Sequence, residues 1–294
     1  MNNKIKNQSI RLNDIDFYPV FVALTGSRSY GTNSPDSDYD IRGIVIPRDK
    51  SYYFGFLKRF EQYEGNFEID DIIDNECTLF DLRKFIKLAV DCNPNIIELL
   101  YTNSGLYTSP IYDELKENAN LFLSKKAKHT FSGYAIAQLK RIKNHYEWVH
   151  RPPSKPIYLS TEEKNALPID QLKLFKAKLN NWNKYLEWKK NRNEARQQLE
   201  MKYGYDTKHG MHLVRLFRMG IEILEGKGVI VNRPDAEELN TIRNGAWSYD
   251  KLIGYANKCE DKLNRLYEFS SLRTNPDRNK IDKLCVNLIE KVLS

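Results

Sequence analysis

Apolar and polar positions change their period once along the chain, near residue 124. Before that point short runs suit strands. Residues 19–24 (PVFVAL) are apolar and stop at Thr25-Gly26, as a buried strand does. Residues 38–46 (DYDIRGIVI) form a second strand, halted by Pro47, and 74–80 (DNECTLF) a third. From Asp81 the period turns helical. Asp81 caps a helix carrying Leu82, Phe85, Ile86 and Ala89, and Pro94 opens another with Ile96, Ile97, Leu99 and Leu100.

Beyond residue 124 strand signals disappear. Helices are predicted over 132–149, 171–203, 207–225, 235–244, 249–269 and 280–293, with a proline-bearing loop over 151–168. The long 171–203 helix places Leu172, Phe175, Leu179, Trp182 and Leu186 on one stripe, read as core rather than as a base-stacking platform. The class is α+β: a small mixed sheet unit, residues 1–124, followed by an all-helical domain, residues 125–294.

Charge sharpens this division. Residues 1–124 carry 13 Lys/Arg against 19 Asp/Glu, a net of −6, whereas 125–294 carry 33 against 20, a net of +13. A basic helical half suits a polyanion, and an acidic first half suits divalent cations. The four cysteines, Cys77, Cys92, Cys259 and Cys285, are scattered, which argues against zinc or a disulfide framework and for a reducing cytoplasm. The polar N-terminus reads as no secretory signal, and no apolar run reaches the roughly 18 residues of a membrane span.

Residues 26–41 read GSRSYGTNSPDSDYDI. Side chains two apart in a strand share a face, so Asp38 and Asp40 aim their carboxylates at one spot. Paired carboxylates on a rigid element can hold two divalent ions about 3.5–4 Å apart, the arrangement that neutralises attacking and leaving oxygens in nucleotidyl transfer. Gly26 lets backbone N–H groups approach a phosphate, Ser27 adds a hydroxyl, and the planar fork of Arg28 matches a triphosphate tail. The order strand, Gly-Ser, loop, Asp-x-Asp, strand is far more specific than either motif alone.

This stretch resembles the DNA polymerase β-type nucleotidyltransferases. More closely, segments 26–43, 81–101, 205–220 and 232–249 resemble the RNA-ligase-associated (RlaP-type) nucleotidyltransferases. The resemblance implies a mixed-sheet catalytic core with a helical C-terminal region, Mg²⁺ or Mn²⁺ as two ions, an NTP substrate and a role in RNA end processing or repair. It also implies a functional association with an RNA ligase. Such enzymes place a third carboxylate on a later strand; Glu76 is preferred here, Asp74 is the alternative, and Asp70 and Asp71 lie further off. A second cluster, Lys208, His209, His212, Arg215 and Arg218, supplies a basic groove for triphosphate or RNA, while two histidines three apart leave a metal or a structural role open. Arg233, Asp235 and Arg243 resemble family positions whose role is to brace the helical half. The acceptor is an RNA end, that of tRNA included, or else a protein or small molecule; a non-catalytic RNA- or nucleotide-binding relative is the third reading.

Overall fold

The computed structural model describes residues 8–69, 71–72, 75–157, 159–192 and 194–294. In chain order the first part runs β1 (Ile10–Leu12), β2 (Ile15–Leu24), α1 (Gly26–Tyr30), β3 (Asp40–Pro47), α2 (Ser51–Phe54), β4 (Gln62–Gly65), β5 (Glu76–Asp81), α3 (Leu82–Val90), α4 (Pro94–Tyr101), β6 (Gly105–Thr108) and α5 (Pro110–Glu117). After a short 3-10 turn, only helices follow among the described residues: α6 (Lys126–His150), α7 (Thr161–Ala166), α8 (Ile169–Lys190), α9 (Glu194–Tyr203), α10 (Thr207–Leu224), α11 (Ala236–Arg243), α12 (Tyr249–Phe269) and α13 (Arg278–Leu293). The protein is α+β, as the change of period implies.

The sheet order is β1-β2-β3-β5-β4, with β6 also on β2. β3 and β5 are parallel and the other pairs antiparallel. Alternation along β3 separates two faces. Ile41 and Val45 join Cys77, Leu79 and Phe67 in a small outer cluster, while Ile44 and Ile46 face the helices with Phe80. That second cluster continues through α10 to Leu288 of α13, so one apolar core crosses residue 124. α10 is its axis, packed against α6, α11 and α12.

The caps obey the sequence. The side chain of Asp81 accepts from Arg83 N–H, Asn93 caps the helix that Pro94 opens, and Asp206 accepts from His209 N–H. Three differences stand out. The predicted 171–203 helix is two helices, α8 and α9, separated by a turn after Lys190 that sends α9 back toward α6 and α10. The stripe on α8 is not core: no α8 residue is buried. Its aromatics instead form a half-buried cluster with the end of α6, where Trp148 and Trp188 lie 5.4 Å apart. Within the proline-bearing loop, Ser160 and Glu163 form a capping box that starts α7. No helix is long and apolar enough to cross a membrane among the described residues, and the four cysteines are free.

Candidate active site

The site grows from the junction of β2 and β3. Thr25 donates its N–H to the Asp40 carbonyl at 2.8 Å and its hydroxyl to the same oxygen at 3.2 Å, locking the end of one strand to the start of the other. Gly26 follows with φ +64°, and a Cβ there would fall 2.0 Å from Asp40 Oδ2. The carboxylate of Asp40 therefore packs directly on the Gly-Ser backbone, a closeness only glycine permits. The short α1 ends at Gly31, φ +74°, whose N–H donates to Ser27 O.

Asp38 sits just before β3 and is exposed; Asp40 is half-buried. Glu76 is the Cα partner of Asp40 in the parallel β3–β5 ladder, and its N–H donates to Tyr39 O at 3.0 Å. Residues paired in this way share a face on strands about 4.8 Å apart. None of these three carboxylates is ion-paired among the described residues. Asp70 and Asp74 lie outside the described residues, and Asp71 is exposed.

A cleft of about 680 Å³ opens between the sheet and the helical half. Gly26, Ser27, Asp38 and Asp40 line one side; Lys208, His212, Arg215 and Arg243 line the other. Arg28, Glu76 and His209 are not among its lining residues. Arg28 instead braces the loop before β3: its Nη2 donates to Ser37 O at 2.7 Å and its guanidinium covers the Tyr39 ring at 3.7 Å.

The charges in the cleft are perturbed by burial. Lys208 is held below its usual pKa by burial and by the nearby Arg196 and Arg243, with Asp38 opposing. His212 is held well below its usual value by burial and by Arg215, so it is neutral at pH 7. Arg215 is only 4% exposed. Its Nη1 donates to Glu98, which also accepts from the Tyr30 hydroxyl, and its guanidinium lies 3.7 Å from the Tyr30 ring centroid. This triad fastens the end of α1 to α4 and α10. His209 points elsewhere, with Nε2 2.6 Å from Arg196 Nη1, and burial pulls its pKa to about 4.

Behind His209, ligand-type atoms of His145, Glu200 and Asp206 lie within 4.8 Å of one another. Arg192 donates to Glu200, and Arg196 donates to Asp206 at 3.1 Å. Guanidiniums thus hold the carboxylates a cation would need, and the cluster clasps α9 to α6 and α10. Arg233 is likewise enclosed, donating to Glu222 and Asp235.

Arg243, read from the sequence as a brace of the helical half, lines the cleft and reaches across to Thr32 O at 3.4 Å. Other cleft residues escaped the sequence reading: Asn95, Tyr134 and Gln138 line the wall made by α4 and α6. Only the helical register relative to the sheet reveals these positions, although Asn95 and Gln138 do stand out as amides in otherwise apolar surroundings.

MJ0002 of Methanocaldococcus jannaschii is 31% identical over 120 residues, 40% of this chain and 47% of its own. A 38.9 kDa protein from the nrdC-mobD intergenic region of phage T4 is 28% identical over 130 residues, 42% of this chain and 38% of its own. YcgL of Bacillus subtilis is 34% identical over 88 residues, 30% of this chain and 32% of its own. The match thus spans less than half the length of each relative. A solved nucleotidyltransferase-like protein from Exiguobacterium sibiricum aligns over 85% of this chain and 69% of its own, at 11% identity and a TM-score of 0.27. Residues 12–240, a span that contains the Gly-Ser turn and both aspartates, match the profile of RlaP, the RNA repair pathway DNA polymerase beta family, and the chain belongs to that family.

Proposed function

We propose that the protein moves a nucleoside monophosphate from an NTP to a hydroxyl on an RNA end, in a reaction that depends on Mg²⁺ or Mn²⁺ and releases pyrophosphate. The contact between Gly26 and the Asp40 carboxylate carries this reading, because it brings a phosphate-cradling backbone and cation-binding oxygens to one point. The donor set fits hard cations: Asp38, Asp40 and Glu76 offer carboxylate oxygens without a competing ion pair among the described residues. Bound ions would neutralise charge on the attacking and leaving oxygens.

The chain's own residues do the rest. Ser27 and the Gly-Ser backbone hold phosphate oxygens. Lys208 and Arg243 face them from the helical side, while Arg28 keeps the loop before β3 in place. Glu76 accepts the proton of the attacking hydroxyl as its oxygen bonds to the α-phosphorus and the bond to the β-phosphate breaks. The net +13 of residues 125–294 and the family's RNA repair pathway favour an RNA acceptor, with an RNA ligase as a functional companion.

The test is incubation with each labelled NTP, Mg²⁺ or Mn²⁺, and a pool of RNA. Label recovered on RNA ends supports the proposal. Label on protein or on a small molecule replaces the acceptor, and no labelled product with any NTP overturns the transferase reading.

A further inference from the structure

A second groove, of about 510 Å³, runs along the exposed side of α6. His129, Gly133, Tyr134, Ala137 and Arg141 line it, and it shares Tyr134 and Gln138 with the wall of the cleft. The two hollows adjoin at Tyr134. That ring is 39% exposed, and its hydroxyl accepts from Asn93 Nδ2 at 3.1 Å. Asn93 is itself held, because its Oδ1 caps α4 by accepting from Asn95 N–H at 3.1 Å. The ring is thus fixed yet bare: among the described residues no other ring or cation stacks on it. Later aromatics of α6 are covered, Tyr146 by Tyr249 at 4.0 Å and Trp148 by Trp188 at 5.4 Å. A fixed, uncovered aromatic face gives up little conformational entropy when a flat ligand stacks on it.

Charge and space beside the ring narrow the ligand. α6 carries five Lys/Arg against one acid, Glu147. Lys140 and Arg141 are exposed and make no ion pair among the described residues. Arg141 stands two turns from Tyr134, about 10 Å along the helix. Gly133 leaves the groove open, since a Cβ there would meet nothing within 4 Å. A bare ring followed by an unpaired guanidinium suits a single-stranded nucleic acid, which stacks a base on the one and sets phosphates on the other. A duplex keeps its bases stacked inside and offers no face to Tyr134. An acidic peptide answers the charge alone.

We infer that the α6 groove leads the acceptor to the cleft as an unpaired RNA strand, with a base near its reacting hydroxyl stacked on Tyr134 and the backbone beyond it held by Arg141. Stacking on a ring is tolerant of base identity, so the groove reads strandedness rather than sequence. This inference rests on the nucleotidyl-transfer reading and adds to it the form and the path of the acceptor.

The experiment is fluorescence-anisotropy titration of the full chain with a short labelled single-stranded RNA and with a blunt duplex of the same sequence, beside calorimetric binding of each NTP with Mg²⁺. The single strand should bind at least about tenfold tighter than the duplex. Tyr134→Ala should weaken the single strand roughly tenfold, as the loss of one stacked base does, and Tyr134→Phe should keep most of the affinity. Gly133 and Arg141 line the groove and not the cleft. Arg141→Ala should therefore weaken the single strand and lower its salt slope by about one unit, with NTP affinity unchanged. Gly133→Leu, which fills the groove, should weaken the single strand without lowering the melting temperature or NTP affinity. Duplex bound as tightly as single strand, polyglutamate competing as well as RNA of equal charge, or full single-strand affinity in Tyr134→Ala and Gly133→Leu overturns the α6 path and leaves nucleotidyl transfer standing. If the unaltered protein binds NTP but neither RNA, the path falls together with RNA as the acceptor.

Discussion

The two sides of α10 use the same residue types in opposite ways. On the cleft side, Asp38, Asp40 and Lys208 stand without an ion pair among the described residues, as does Glu76 beside Asp40 on β5. Behind the cleft three buried carboxylates are closed: Glu98 with Arg215 and Tyr30, Glu200 with Arg192 and His145, Asp206 with Arg196 and the α10 backbone. A carboxylate facing a solvent-filled cleft keeps its hydration, whereas one removed from water must be paired. Ligand-like spacing therefore does not by itself identify a site. His145, Glu200 and Asp206 lie close enough for a metal, yet both carboxylates accept from guanidiniums and His145 is paired with Glu200. Asp38 and Asp40 are uncommitted among the described residues, and that difference supports the proposal that they hold the cations.

The comparison breaks most sharply at the aspartates. Asp38→Asn or Asp40→Asn should cut transfer at least about a thousandfold, equivalent to about 4 kcal/mol of barrier, with stability changed by no more than about 0.5 kcal/mol. Glu76→Gln should fall as far, since the change is isosteric and removes only charge and proton acceptance. Labelled-NMP transfer and calorimetric melting read the two quantities separately. Retained activity in either aspartate variant removes the assignment, and retained activity in Glu76→Gln moves the third carboxylate elsewhere.

Arg215 tests the other side. It borders the cleft but is committed to Glu98 and Tyr30, so Arg215→Ala should leave a buried carboxylate unpaired and cost about 3–5 kcal/mol of stability. Replacing both partners, Glu98→Leu with Arg215→Met, should recover much of that loss, because neither charge is then stranded. Urea midpoints measure both. A stable Arg215→Ala protein with weakened NTP binding would assign Arg215 to the ligand instead.

The sequence shows the front of the molecule better than the back. Residues 26–41 are contiguous, so the Gly-Ser turn and both aspartates could be read as one segment, but β3 begins at Asp40, and strand alternation does not govern the direction of Asp38. Glu76 could be nominated because the third strand was visible, although its pairing with Asp40 depends on a parallel register that no local pattern encodes. On α10 the helical period grouped Lys208, His212 and Arg215 correctly on one stripe. It could not show that Glu98, 117 positions earlier in the chain, would take Arg215 out of solvent. Nor could it show that the polar turn after Lys190 would end α8 and leave its apolar stripe outside the core. The short strands β1, β4 and β6 carry too few apolar positions to register as strands.

His209 offers a pH test of the buried side. Burial holds its folded pKa at about 4, below the ordinary value near 6.5. As pH falls through 6.5 the unfolded chain takes up the proton first, so stability declines between about pH 6.5 and 4 and is fully present above that window. The contribution is limited to about 3 kcal/mol, and His212, shifted in the same direction, adds to it. Urea midpoints measured across this range should slope downward toward acid, and His209→Asn should flatten the slope. An unchanged slope in the variant would place the acid sensitivity in other groups.

The smallest expected effect separates the two polyanions that the cleft faces. Lys208 is depressed in pKa by burial and by neighbouring arginines, so it gains most from an added negative charge. If it holds the triphosphate, Lys208→Ala should raise the Kd for NTP severalfold, while RNA binding keeps its salt dependence. If it contacts an RNA backbone, the same change should weaken RNA binding and lower the slope of log K against log salt by about one unit, because one fewer counterion is released. Its proximity to Asp38 favours the first outcome. The lysines of α8 serve as the contrast. That helix carries six lysines against two acids, and Lys173, Lys176 and Lys184 are exposed, so their triple alanine variant should lower the RNA salt slope and leave NTP affinity alone. Titrations of RNA and NTP at several salt concentrations distinguish the two patterns. If the triple variant changes neither quantity while Lys208→Ala changes both, RNA and NTP share the cleft and the basic exterior of α8 has no part in acceptor binding.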